Sequence, residues 1–195
     1  MGEMKSAWEK AMEKVEKLGK PSEEELKQLE YVPAGNRLAA RYLKEKTFDL
    51  DAELIKYKST GARKYIIQGT EEIFLRNIVL PQNEHTKQTI TKAMAGISLL
   101  KENKNRLETI FDRINNLLNY YEQARQQTYM QFKKGFESKL QEAGQALKQQ
   151  TGHRVRAEPE SHPQFQQEWH KISSELDAQY EKVLEEHRQE IQKIA

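Results

Sequence analysis

The sequence has no cysteine, which removes disulfide cross-links, a thiolate nucleophile and any cysteine-held metal or cluster from consideration. Long apolar runs are missing too. The longest strongly apolar run is Ile78-Val79-Leu80, against the roughly 20 residues a helix needs to span a bilayer. Residues 1–20 alternate charges with single apolar side chains and hold no apolar core of the signal-peptide kind. No Asn-x-Ser/Thr sequon occurs, so a cytoplasmic location is expected.

Signatures of chemistry are equally scarce. There is no Gly-x-Gly, no Walker-type glycine loop and no Gly-x-Ser-x-Gly elbow, which sets aside the commonest nucleotide-binding and hydrolase routes. Bundles that hold two irons use Glu-x-x-His pairs, but the residues three before the five histidines are Gln82, Gln150, Pro159, Gln167 and Leu184. No His-x-x-x-His pair exists either. His153 and His162 could meet a metal with Glu158 or Glu160, yet solvated loop side chains explain them with less. No metal or cofactor is expected.

Proline is sparse and unevenly placed, with none between Pro81 and Pro159. The apolar share is 36%, below the roughly 45–50% of an ordinary globular chain. Long helices account for the deficit, because each buries one stripe and leaves the rest in water. Disorder does not, since 32 basic and 30 acidic residues nearly cancel.

The stripes are legible. Trp8, Ala11, Met12, Val15 and Leu18 share a helical face that Gly19-Lys20-Pro21 ends. Ser22 and Glu25 form a capping box for a short helix to about Glu30. Val32-Pro33-Ala34-Gly35 reads as a turn, Leu38 to Leu43 as another short helix, and Asp49 or Asp51 as the cap of a further turn. Residues 62–80 could be a hairpin of strands or two short helices. Thr70 followed by Glu71 and Glu72 favours helix.

Asn83 is a suitable N-cap for a helix over 83–150. Its seam runs through Ile90, Ala93, Ile97, Leu100, Lys104, Leu107, Phe111, Ile114, Leu118 and Tyr121, with Lys104 as a polar interruption. After Arg125 the seam jumps to Tyr129, Phe132, Phe136, Leu140, Ala143 and Leu147, a stutter. A loop over 151–162 follows, then Ser161 with Gln164 reads as a second capping box. A last helix over 163–194 carries Phe165, Trp169, Ile172, Leu176, Tyr180, Val183, His187 or Ile191, and Ile194.

These patterns predict an all-α chain. Residues 1–80 form a base of short helices, and residues 81–195 form a very long helix paired with the C-terminal helix as an antiparallel two-helix coiled-coil arm. Residues 81–150 carry 11 basic and 7 acidic side chains and residues 151–195 carry 6 and 9, which suits their pairing. From the lengths, the return helix is expected to cover only the distal part, about 117–150. Ile97, Leu100, Leu107, Phe111 and Ile114 would then need other cover, either the short helices or a second copy of the chain, making a homodimer.

Such an architecture suits a non-enzymatic interaction or scaffolding protein with a protein partner. Its arm tip would offer His153, Arg154, Arg156 and Glu158, and exposed Tyr120 or Met130 would mark a contact surface. An alternative is nucleic-acid binding through Lys133, Lys134, Lys139 and Lys148 on the basic side of the arm. A third reading is an enzyme with its site within residues 31–80.

Overall fold

The computed structural model describes residues 22–58, 60–151 and 158–194, with side chains omitted for 146–151. The expected helix over 4–19 lies outside these residues. So do His153, Arg154 and Arg156, and the side chain of Lys148. Six α-helices are present among the described residues, with no strand: α1 Glu23–Lys44, α2 Leu50–Ile55, α3 Arg63–Arg76, α4 Glu84–Leu100, α5 Lys104–Thr151 and α6 Pro163–Gln192. The all-α expectation and the pairing of the long helix with the C-terminal one hold. The chain divides into two compact units, the first ending at Arg76 and the second beginning at Asn77.

In the first unit, the capping box forms as read, with Glu25 N–H on Ser22 Oγ at 3.2 Å and Ser22 N–H on Glu25 Oε2 at 2.7 Å. Asp49 caps α2 through Ala52 N–H at 3.0 Å. The expected turn at 32–35 is absent: α1 runs straight through Pro33 and Gly35. Pro33 and Leu29, whose carbonyl loses the helical bond that proline cannot make, are both on the exposed side. Gly35 is buried against α3, where an added Cβ would overlap the carbonyl of Ile66.

The reciprocal contact explains why α3 is one helix rather than two. A Cβ on Gly69 would overlap the carbonyl of Val32, so α1 and α3 cross backbone to backbone at a glycine on each side. Thr70, expected to start a helix, is instead buried in its middle. Its hydroxyl donates to Ile66 O at 2.7 Å and lies 3.2 Å from Gly35 O across the crossing. The Asn36 amide, oriented with nitrogen toward its acceptors, donates to Gly69 O at 2.7 Å. Around this crossing pack Ala39, Ile66 and Phe74, with Tyr42 edge-on to Phe74 at 5.5 Å.

In the second unit, Asn83 caps α4 as expected, accepting from Thr86 N–H at 2.9 Å. The helix predicted over 83–150 is broken at 101–103 into α4 and α5. The cause is local. Asn103 Oδ1 takes the Arg106 N–H at 3.2 Å and so starts a new helix. The Lys104 ammonium reaches back to the carbonyls of Ser98 and Lys101, closing the end of the old one. The polar interruption in the seam is therefore a chain reversal. Lys87 near the start of α4 sits 2.7 Å from Glu122 on α5.

Helix α6 returns antiparallel along α5, but in a different register from the expected one. Arg113 faces Glu190 at 3.4 Å, Tyr121 donates to Asp177 at 2.7 Å, and Phe136 meets His162 at 5.5 Å. The Lys101 ammonium donates to Ile194 O at 2.7 Å. Cover thus runs from the start of α5 to Phe136 rather than over 117–150. Of the five seam side chains that needed cover, Ile97, Leu107 and Ile114 are buried within the single chain and Leu100 and Phe111 are half-buried. Along α6, Leu184 takes the core position in place of Val183. Its N-cap is His162, whose Nδ1 accepts from Gln164 N–H at 3.3 Å. Ser161 instead closes a 3₁₀ turn over Pro159–Ser161, because Pro163 occupies the first helical position and moves the cap to its neighbour.

Candidate functional site

Two places in the second unit gather exposed chemistry. The first is the far end of the hairpin. Phe132, Phe136, Phe165, Trp169 and Tyr129 form one aromatic cluster there, with ring centroids 4.7–6.2 Å apart. Phe136 and Phe165 are buried and belong to the core, and Tyr129, Phe132 and Trp169 are half-buried around them. Beyond Phe136, α5 continues to Thr151, about 22 Å further at 1.5 Å per residue. Over residues 137–145 none is buried: Leu140 is half-exposed and Ala143 exposed, so the apolar stripe continues without cover among the described residues.

The predicted basic contacts separate on inspection. Lys133 is committed, its ammonium 2.7 Å from Glu160 Oε1, which also takes the Tyr129 hydroxyl at 2.7 Å. These bonds hold the Glu160 carboxyl below its ordinary range and push the Lys133 ammonium and the Tyr129 phenol up. Lys134 and Lys139 are exposed. Glu158, the described member of the proposed tip contacts, is also exposed. With Lys133 paired to Glu160, Lys134 and Lys139 are the exposed lysines among the described residues of that basic side. Glu160 and His162 serve as ion-pair partner and helix cap, and no described group of His, Asp and Glu is arranged to hold a metal ion. Tyr120 and Met130 are exposed, at 65% and 57%.

The second place is an open groove of about 470 Å³ that the sequence reading did not isolate. Pro81 to Glu84 and Lys87 supply one wall, where α4 begins. Tyr121, Glu122, Arg125, Gln126 and Tyr129 of α5 supply the other, and Trp169 of α6 the end. Lys87 is held between Glu122 and Glu84, at 2.7 and 3.9 Å, and its ammonium is pushed up by the Glu122 bond. Tyr121 is fully buried; burial, then the hydrogen bond to Asp177, pushes its phenol up to about 12. Arg125 differs from these. Its Nε is shut off from solvent with no hydrogen-bond partner, and no carboxylate among the described residues pairs with it.

The one signal for this groove in the sequence is the stutter. Where the seam jumps between Tyr121 and Tyr129, an arginine occupies a position that a regular repeat would give to an apolar side chain.

The fold and these two features define a class: an all-α protein built on an antiparallel helical hairpin, with no described helix long and apolar enough to cross a membrane. The chain belongs to the family of unknown function DUF6657, whose pattern it matches over residues 52–193. No curated protein and no solved structure matches the chain.

Proposed function

We propose that this chain is a non-enzymatic interaction protein whose helical hairpin presents the far end of α5 to a protein partner. The observation that carries the reading is the mismatch in length between the paired helices. The last ring contact across the hairpin among the described residues is Phe136 with His162, whereas α5 runs on to Thr151. An isolated helix of some fifteen residues is marginal in water, and a half-exposed apolar stripe through Leu140 gives a partner something to bury. Tyr120 and Met130 on α5 are also exposed.

The close approach of Phe136 and His162 makes a clean test possible. Residues 138–157 can be replaced by about five glycines and serines, which reach up to roughly 17 Å and can close the hairpin where its helices already touch. The shortened protein should keep its melting temperature and the circular dichroism of its remaining helices. It should lose the protein that crosslinks to the full chain in cells. Capture of the same protein by the shortened chain would reduce the end of α5 to a structural extension.

A further inference from the structure

Of the two cations that line the groove, Lys87 is paired with Glu122, whereas Arg125 has no carboxylate partner among the described residues. The Tyr121 hydroxyl donates to Asp177, the Tyr129 hydroxyl donates to Glu160, and Glu122 pairs with Lys87. The same groove is walled by the rings of Tyr121, Tyr129 and Trp169 and is open to solvent.

We infer that this groove is a binding site for a carboxylate carried on a flat apolar body, with the Arg125 guanidinium as the anion's partner and Tyr129 and Trp169 as the apolar wall. Guanidinium is the cation suited to planar carboxylate recognition. A single negative charge fits better than a doubly charged phosphate, because Glu84 and Glu122 line the groove beside Arg125 and repel further charge. The carboxylate could come from an acidic side chain of a partner protein flanked by an apolar residue, or from a free small acid. The site stands independently of the exposed end of α5.

The chain contains two tryptophans, Trp8 and Trp169, so Trp8→Phe leaves Trp169 as the reporter at the groove. In that background, titration with 3-phenylpropionate should change the fluorescence of Trp169 saturably at or below about 10 mM, a range open to weak ligands. The neutral analogue 3-phenylpropanamide should bind at least about tenfold more weakly, since it forfeits the charge-assisted bond. That comparison uses no groove mutation. Arg125→Met should abolish the preference for acid over amide, and inorganic phosphate should not compete. Tighter binding of a capped Phe-Glu peptide than of the free acid assigns the anion to a protein partner, and the reverse order assigns it to a small acid. Absence of a saturable signal, equal binding of acid and amide, or an unchanged preference in Arg125→Met would overturn the site.

Discussion

Replacing Gly35 or Gly69 by alanine is expected to cost the first unit about 3 kcal/mol or more, the upper end of what overpacking does. The size follows from what the new methyl group would meet. At both positions it is a backbone carbonyl, of Ile66 and of Val32, and a carbonyl inside a helix cannot swing aside as a side chain can. The helices must separate, and that also stretches the Asn36 bond to Gly69 O and moves Thr70 off Gly35 O. Gly135 provides the contrast, because a Cβ there meets nothing within 4 Å. Gly135→Ala should be neutral or stabilising by up to about 1 kcal/mol, the difference in helix propensity. Thermal melts and amide exchange across α1 and α3 measure all three. Faster exchange in both helices is expected for the Gly35 and Gly69 variants and unchanged exchange for Gly135→Ala; a Gly35→Ala protein that melts with the parent would refute the close crossing.

Tyr121 carries the second large effect. Among the described residues it is the largest fully buried side chain, edge-on to Tyr180 at 5.3 Å, so Tyr121→Ala should cost about 4 kcal/mol as an aromatic deletion in a core. Tyr121→Phe keeps the ring and loses only the bond to Asp177, about 1–2 kcal/mol. The phenol also makes a prediction about pH. Its folded value, about 12, lies above the ordinary 10 of an unfolded chain. The folded state therefore keeps a proton that the unfolded state gives up first. Stability from this group is complete below pH 10 and is lost between about pH 10 and 12, by on the order of 2 kcal/mol. Denaturant unfolding at pH 9 and pH 11.5 should show that loss in the parent and a clearly smaller one in Tyr121→Phe. Equal slopes in the two proteins would mean that the hydroxyl is not buried against Asp177.

Local signals in the sequence were sound where the cause was local. The caps at Ser22, Asp49 and Asn83 form as their residue types dictate, and the stripe of α6 is buried or half-buried at every position but Val183. What the sequence conceals is any feature whose cause lies far along the chain. Pro33 and Gly35 read as a turn, and only the α1–α3 crossing, which brings Gly35 to Ile66 and Gly69 to Val32, turns the two glycines into requirements. The register of α6 on α5 was hidden for a related reason. Summed charge favours pairing without choosing an alignment, and the choice falls to particular partners such as Tyr121 with Asp177. The break at 101–103 was half visible: Lys104 and its asparagine neighbours marked weakened pairing, but the backbone capping by the Lys104 ammonium needed the fold. Of the groove, only the stutter near Arg125 could be seen.

The central claim is that α6 folds back on α5 of its own chain and leaves the last part of α5 beyond Phe136 without a described partner helix. A zero-length carbodiimide crosslinker tests it most directly, since it joins an ammonium to a carboxylate only where they touch. The account predicts a monomer-sized product in which Lys133 is joined to Glu160 and Lys87 to Glu122, both pairs standing 2.7 Å apart. Acids of α6 joined to Lys139 or Lys148, or products found only at dimer size, would contradict it.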